Sequence, residues 1–371
     1  MKKIGFVLLS VALLVSLAVG CNGSAPTSST ATESNTAPES NTAPESNTVP
    51  ESSGGQDLGT PREFMLGHAF AEADYRAVGC TRFAQLVEEM SGGNMTVTVY
   101  PSSTLVQSEN MLQQVSGGVA DFGMGSLSWT ASAAPALGVL DIPGTYDSRY
   151  FRETYEEIRD MIDDILEPHG IKIMIMFDES DSVFYLREQH ARPVHSPDDI
   201  AGLRLRDHGV WVGKTISAWG ASPMTVVTAD LAVALERGTV DGGYTGWALM
   251  KTFRLYETAP AITQAHMSKS AWSPIAVSLE VWNGLSQPQR DILSKAAKQV
   301  EEETDQTVID MYEEFVESVA DAGGTIYEMT DEEVAEFIKL AESVMEEARR
   351  ETGEQGNQLL DRMLEIKAGF N

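Results

Sequence analysis

The chain has 371 residues, of which 42% are hydrophobic and 22% are charged, so it can bury more than one core. Its formal net charge of −29 opposes binding to the phosphate backbone of nucleic acid, and no basic run offsets that charge. It contains only two cysteines, Cys21 and Cys80, which excludes a disulfide framework and a cysteine-rich metal site.

The N-terminus has the pattern of a secretory signal. Lys2 and Lys3 precede an apolar run, residues 4–19, that is short for a membrane span. The run ends in Leu-Ala-Val-Gly-Cys21, which resembles the lipobox of bacterial lipoproteins, where cleavage leaves the cysteine lipidated. We therefore predict a lipoprotein signal peptide over residues 1–21 and a lipid anchor on the outer face of the cytoplasmic membrane. An ordinary signal peptide with a coincidental cysteine is the alternative.

Residues 22–60 are dominated by Ser, Thr, Pro and Glu. Glu-Ser-Asn-Thr-Ala-Pro occurs at residues 33–38 and again at 39–44. Such a segment has almost nothing to bury, so we predict a disordered tether between the anchor and a folded domain over residues 61–371.

From residue 63 onward, short apolar runs alternate with helical patterns. Cys80 lies with Phe83, Ala84 and Val87 on one helical stripe, which predicts that the thiol packs in the core. Strands separated by helices predict a mainly parallel sheet covered on both faces. The predicted strands are 64–70, 95–100, 122–124, 171–177, 183–186 and 203–206, and the predicted helices between them are 74–91, 109–115 and 211–219.

Two capping boxes open long helices near the C-terminus. Ser286 is followed by Gln289, and Thr330 by Glu333, each at the spacing that satisfies free backbone N–H groups at a helix start. We expect these helices to brace two lobes, although a dimer contact is the alternative.

An ordered set of short motifs runs from about residue 63 to residue 300. It resembles the substrate-binding subunit of TRAP (tripartite ATP-independent periplasmic) transporters, the DctP family. The motifs are Phe83–Gly93, Pro101–Leu105, Gly118–Phe122, Asp141–Pro143, Ser196–Arg206, Gly220–Pro223 and Ala234–Gly242.

The resemblance implies an α/β, two-lobed periplasmic binding protein fold, type II-like, with hinge strands and long C-terminal bracing helices. The first lobe would comprise about residues 61–183 and 275–325. The second would comprise about 184–274 and the C-terminal helices. The implied function is that of an extracytoplasmic solute receptor, which binds a small organic acid and delivers it to the small and large permease subunits in the membrane.

Arg206 matches the arginine that holds the ligand carboxylate in this family. A planar guanidinium can donate to both carboxylate oxygens at once, although an arginine at a strand end also often pairs with a surface acid. Two positions depart from the family pattern. Leu186 stands where many members have a further arginine, with Arg187 adjacent as a second candidate contact, and Gly246 replaces an asparagine that assists the carboxylate.

Aromatic side chains and one acid complete the candidate ligand contacts. Aromatic walls suit an apolar, aromatic or cationic part of a ligand, but core packing is the commoner fate of tryptophan. Glu72 beside Arg206 would suit a zwitterion, and could equally cap the next helix. The candidates are Trp247, Tyr244, Trp211, Trp129, Phe70 and Glu72.

No catalytic pattern emerges from the sequence. His68 and Glu72 lack a third metal ligand, and Gly123-x-Gly125 lacks the third glycine of a dinucleotide fingerprint. We predict no enzyme activity, no metal and no cofactor. Besides transport, a lipoprotein that signals through a membrane receptor fits the same sequence, and an enzyme fits it less well.

Overall fold

The computed structural model describes residues 58–130 and 132–370. The predicted signal peptide, Cys21 and the tether as far as residue 57 lie outside the described residues. None of the described helices has the length and apolar character needed to cross a bilayer.

The strands of the described chain form two sheets, one in each lobe. The first sheet has the order β2-β1-β3-β10-β4 and the second the order β11-β9-β5-β8-β6-β7. The strands are β1 (Arg62–His68), β2 (Met95–Tyr100), β3 (Phe122–Met124), β4 (Ile171–Phe177), β5 (Asp181–Leu186), β6 (Arg204–Asp207), β7 (Ser222–Thr225), β8 (Gly242–Gly246), β9 (Ala261–Lys269), β10 (Ser273–Ser278) and β11 (Thr325–Glu328).

Helices cover both faces of each sheet, so the predicted two-lobed α/β architecture is confirmed. Each lobe has one apolar cluster on either side of its sheet. The helices are α1 (Tyr75–Ser91), α2 (Met111–Ser116), α3 (Phe151–Leu166), α4 (Val210–Ala218), α5 (Leu231–Glu236), α6 (Trp247–Thr252), α7 (Leu279–Asn283), α8 (Gln287–Asp321), α9 (Asp331–Glu351) and α10 (Gly353–Phe370).

Two short segments carry the chain between the lobes. Residues 178–180 connect β4 to β5, and residues 270–272 bring the chain back from β9 to β10. The chain passes from the first lobe to the second between β4 and β5 and returns between β9 and β10. The two passages run in opposite directions, so β4 pairs antiparallel with β10 and β5 pairs antiparallel with β9. The expectation of mainly parallel sheets is therefore wrong for these strands, because a direct crossing has no helix to reverse the chain.

Helix α1 begins and ends where its sequence predicts. The Asp74 side chain caps its first turn by accepting from the backbone N–H of Arg76. Cys80, Phe83 and Val87 are fully buried against the first sheet. The thiol Sγ lies 3.6 Å from Sδ of Met124, which is the packing role that the apolar stripe predicts.

Both predicted capping boxes are present, at the starts of α8 and α9. Helix α8 packs its first half on the first lobe through Leu293 and Val300, and its second half on the second lobe through Phe315. It therefore braces both lobes. Helix α10 packs against α3, and its Phe370 stacks on Tyr150 at 4.1 Å between ring centroids, so this helix lies on the first lobe rather than on the second.

Candidate ligand-binding cleft

The carboxyl ends of the parallel strands in both lobes point toward the crossing segments. In the first lobe, Met124 at the end of β3 pairs with Ile275 near the start of β10. In the second lobe, Gly246 at the end of β8 pairs with Ser182 near the start of β5. Because α/β proteins bind ligands beyond the carboxyl ends of their strands, the cleft between these two edges is the candidate site.

Arg206 lies near the carboxyl end of β6, and only 7% of its surface is exposed. Its Nε donates to the carbonyl of Val226 at 3.3 Å, and its Nη1 donates to Oγ1 of Thr245 at 2.9 Å. No carboxylate of the described residues forms an ion pair with it. Burial lowers the pKa of Arg206, but a guanidinium remains protonated at neutral pH. The site therefore holds a buried positive charge that favours an incoming anion.

Tyr185 places a hydroxyl group on the same face of the sheet. Gly243 is the direct neighbour of Tyr185 on one side and of Arg206 on the other, so all three share one cross-strand row. An added Cβ at Gly243 would lie 2.2 Å from Oη of Tyr185, which shows that the missing side chain makes room for the phenol. Burial raises the pKa of Tyr185, so it remains a neutral donor, and its Oη has no hydrogen-bond partner among the described residues.

His208 adds no second positive charge beside Arg206. Burial, together with the charge of Arg206, lowers the pKa of His208 to about 4. Its Nδ1 lies 3.1 Å from the carbonyl oxygen of Tyr244, so the neutral ring donates from Nδ1 and keeps Nε2 as an acceptor.

Phe70 and Glu72 follow β1 in the first lobe. The guanidinium carbon of Arg76 lies 3.8 Å from the centroid of the half-buried Phe70 ring, a cation–π contact. Arg76 itself is neutralised by Asp74 at 2.8 Å and by Glu179 of the first crossing segment at 3.1 Å. Glu72 is exposed.

Trp129 lies just beyond the end of β3, the strand next to β1. Its side chain is 59% exposed, so the ring is open to solvent at this edge of the first lobe. The structure thus brings Phe70 and Trp129 to the first-lobe edge and Arg206 to the second-lobe edge, whereas Glu72 lines a surface groove between α1 and β2.

Tyr244 lies on the opposite face of β8 from Thr245 and Arg206. Its ring is fully buried against Trp219, and its Oη lies 2.9 Å from Oγ of Ser268. The structure therefore places this predicted contact in the core of the second lobe, because side chains alternate along a strand.

Trp247 begins α6 immediately after β8. Only 3% of its surface is exposed, and its ring packs on Phe315 at 5.6 Å and on Tyr312 at 5.2 Å between centroids. Both partners belong to α8, so this tryptophan fastens α8 to the second lobe.

Arg187 and Trp211 are not part of the cross-strand row that contains Tyr185, Gly243 and Arg206. Arg187 follows β5 at the sheet edge farthest from the crossing segments, with its guanidinium over Gly238. Trp211, in the first turn of α4, packs across the lobes: an added Cβ at Gly138 would lie 2.4 Å from its Nε1. This contact joins the second lobe to the first beside the cleft.

Gly246 stands where the family pattern has an asparagine, and the structure gives the reason for a glycine. An added Cβ would lie 2.3 Å from Oγ of Ser180 and 2.6 Å from Cβ of Ser270. These two serines belong to the two crossing segments, which are joined by a 2.8 Å hydrogen bond from Ser270 N–H to the Ser180 carbonyl. In this chain the crossing segments occupy the room that a larger side chain would need.

A buried ion cluster stabilises the crossing segments. Nζ of Lys269 lies 2.9 Å from a carboxylate oxygen of Asp178 and 2.9 Å from one of Asp181. Asp181 also contacts Nδ1 of His266 at 2.7 Å. Burial raises the pKa of Asp178 to about 6, whereas Lys269 and His266 outweigh burial at Asp181 and lower its pKa.

Over residues 58–130 and 132–370, no three His, Cys, Asp or Glu side chains are grouped closely enough to hold a metal ion. His68, one of the pair singled out from the sequence, is buried at the end of β1, and its Nδ1 accepts from the backbone N–H of Phe70.

Residues 66–351 match the sequence profile of the DctP family, described as bacterial extracellular solute-binding protein, family 7. The chain belongs to this family. The resemblance drawn from the ordered motifs is thereby confirmed, and the chain is an extracellular solute-binding protein of the DctP family. Members of this family are transport proteins rather than enzymes.

Two curated relatives and one solved structure illustrate the family. The ectoine-binding periplasmic protein TeaA of Halomonas elongata is 26% identical over 304 residues, covering 79% of this chain and 86% of TeaA. The C4-dicarboxylate-binding periplasmic protein DctP of Rhodobacter capsulatus is 26% identical over 306 residues, covering 80% and 89%. The apo structure of TeaA, the ectoine-binding protein of the TeaABC TRAP transporter, superimposes with a TM-score of 0.77 at 24% identity, covering 83% of this chain and 100% of TeaA.

Sequence reasoning missed Tyr185 and Thr245. Both share a face with Arg206 once the register of β5, β8 and β6 is known. Alternation along each strand was available from the sequence, but the cross-strand register that aligns three separate segments was not.

Proposed function

We propose that this family member binds a small organic acid in the cleft and delivers it to the permease subunits of a TRAP transporter. The observation that carries the proposal is Arg206, a buried cation without a carboxylate partner among the described residues. A carboxylate that enters the cleft can accept from the free donors of the guanidinium and from the unpartnered hydroxyl of Tyr185.

The names of the two relatives support an acid as the ligand. One is described as binding C4-dicarboxylates and the other as binding ectoine, and both kinds of solute carry a carboxylate group. The chemistry shared by these ligands is the part that a guanidinium recognises best.

The first-lobe edge would provide the apolar wall. Phe70 and the exposed Trp129 can pack against the non-acidic part of the ligand, whereas Tyr244 and Trp247 support the second lobe from within its core. The two lobes would close on the ligand by bending at the crossing segments, and the permease would recognise the closed form.

A thermal-shift screen tests the proposed function. We expect at least one acid, among mono- and dicarboxylates, keto acids, uronates, aromatic acids and zwitterionic solutes, to raise the melting temperature. A ligand at 100 times its Kd adds ~2.7 kcal/mol to the stability of the folded state. The uncharged amide of the same acid is the matched control and should give no shift. Stabilisation by uncharged solutes alone would contradict the proposal.

We further propose that residues 1–21 are a lipoprotein signal, that Cys21 carries a lipid anchor, and that residues 22–60 form a tether to the membrane surface. The support is the Leu-Ala-Val-Gly-Cys sequence followed by a Ser/Thr/Pro/Glu-rich segment.

Cys21→Ser is expected to shift the protein from the membrane fraction to the soluble fraction when the precursor is cleaved. Acyl chains supply the membrane affinity, and the tether has no apolar run to replace them. N-terminal sequencing of both forms is the control for cleavage. A cleaved serine variant that stays with the membrane would show that Cys21 is not the anchor.

A further inference from the structure

A second ionisable group without a charged partner lies on the first lobe. Asp141 ends the segment Pro135–Asp141, and its Oδ1 accepts from Oγ of Ser128 at 2.8 Å. Among the described residues no other side chain donates a hydrogen bond to Asp141, and no lysine, arginine or histidine forms an ion pair with it. Its surface is only partly exposed. An acid in such surroundings favours a cationic or hydrogen-bond-donating partner.

The position of Asp141 places it at the cleft. Ser128 follows β3 and precedes the exposed Trp129, at the strand edge that faces the crossing segments. Gly138, three residues before Asp141, is the residue on which Trp211 of the second lobe packs. Trp211 follows Arg206 by five residues through the turn that contains His208. Asp141 therefore lies one turn from an interlobe contact, and Arg206 lies on the opposite lobe, five residues before the tryptophan that makes this contact.

The two groups have complementary charges that nothing in the described chain satisfies. Arg206 offers donors to an anion, and Asp141, held by Ser128, offers carboxylate oxygens to a cation. A zwitterion that spans the cleft would satisfy both. We infer that the ligand is a small zwitterion whose carboxylate binds Arg206 and whose cationic group binds Asp141. This inference rests on the proposed carboxylate site and names the class of acid that fills it.

The ionisation of the surrounding groups supports this assignment. Burial raises the pKa of Asp141 to about 6, because the donated Ser128 hydrogen bond does not compensate for lost hydration. Nearby Tyr146 is kept neutral by burial, and His208 is neutral above about pH 4. Asp141 and Asp178 both become negative between about pH 5 and pH 7, but Asp178 already has Lys269 as its cation, so of the two it is Asp141 that gains a favourable partner when a cation arrives.

The test compares matched ligands by isothermal titration calorimetry on the full chain. L-Proline and ectoine are zwitterions. L-Pyroglutamate has the same five-membered ring and carboxylate as proline, but its ring nitrogen belongs to an amide and carries no charge. We expect the parent protein to bind a zwitterion at least about tenfold more tightly than pyroglutamate at pH 7.5. For the zwitterion alone, affinity should fall about tenfold between pH 7 and pH 5, since Asp141 takes up a proton over that interval.

Asp141→Asn keeps the size of the side chain and an oxygen for the Ser128 hydrogen bond, so the unliganded protein should melt at or above the parent temperature at pH 7.5. The variant should lose at least about tenfold in zwitterion affinity, lose its pH dependence and keep its affinity for pyroglutamate. Asp160→Asn makes the same change at an exposed aspartate of α3 on the same lobe, and this matched control should bind like the parent.

Three results would overturn the inference: unchanged zwitterion affinity in Asp141→Asn, an equal loss of affinity in Asp160→Asn, or preference of the parent for acids without a cation. If the parent prefers acids without a cation, the proposed carboxylate site at Arg206 is not contradicted. If no acid of any class binds, the proposed function fails as well.

Discussion

Arg206→Met is expected to abolish the thermal stabilisation that a bound acid gives, without lowering the melting temperature of the unliganded protein. The guanidinium is buried beside Thr245 and Val226 without a carboxylate partner, so in the empty protein it carries a desolvation cost that an apolar side chain of similar length removes. In the liganded protein the same change removes the partner of a buried acid. Loss of one member of such a pair weakens binding by about 2–5 kcal/mol, or roughly 30- to 5,000-fold in Kd.

Two further variants separate charge from geometry at this position. Arg206→Lys keeps the positive charge but loses the planar fork of donors, so its affinity should lie between those of the parent and of Arg206→Met. Arg237→Met changes an exposed arginine of the same lobe and should bind like the parent. Calorimetry with the acid found in the screen measures these affinities. If Arg206→Met bound that acid as tightly as the parent, Arg206 would not be the residue that binds the carboxylate.

Lys269→Met is expected to be the most destabilising single change at the crossing segments. It leaves the carboxylates of Asp178 and Asp181 buried near each other without the cation that lies 2.9 Å from each. Breaking a buried ion pair by removing one partner costs about 3–5 kcal/mol, a large part of the stability of a typical domain. Urea unfolding at pH 7.5 measures this loss. Lys298→Met, an exposed lysine on α8, is the control and should stay within about 0.5 kcal/mol of the parent.

The stability difference between Lys269→Met and the parent should change with pH in a definite direction. Without Lys269, nothing offsets the burial that raises the pKa of Asp178 above its unfolded value, so the charged form of this carboxyl group opposes folding at neutral pH. The difference from the parent should shrink from pH 7.5 to pH 5, where this carboxyl group of the variant takes up a proton. The parent itself should lose stability only below about pH 4, the unfolded pKa of an aspartate, because Lys269 and His266 lower the pKa of Asp181 in the folded protein. A Lys269→Met protein that unfolds like the parent at pH 7.5 would show that the cluster does not stabilise the crossing.

Much of the fold follows from local patterns in the sequence. The strands Met95–Tyr100, Phe122–Met124 and Ile171–Phe177 have their predicted bounds, because each is a short apolar run flanked by turn residues. Both capping boxes form because serine or threonine and a residue three positions later satisfy each other's backbone donors. The pairing of β4 with β10 and of β5 with β9 could not be predicted, because it depends on contacts between residues 75 to 107 positions apart in the sequence.

The candidate site was predictable only in part, for the same physical reason. Arg206 could be singled out from a motif, and the structure adds that no acid of the described chain neutralises it. Tyr244 and Thr245 are adjacent in sequence but lie on opposite faces of β8, and no local pattern in Gly-Gly-Tyr-Thr-Gly decides which face is which. The role of Asp141 depends on the contact between Trp211 and Gly138, which joins two lobes.

The structure of the occupied protein tests the central claim most directly. Crystals grown with the acid that gives the largest thermal shift should show the guanidinium of Arg206 donating to the carboxylate at about 2.7–2.9 Å, inside a closed cleft. A solute bound with its acid group held by other residues, and with the Arg206 donors still unused, would contradict the account.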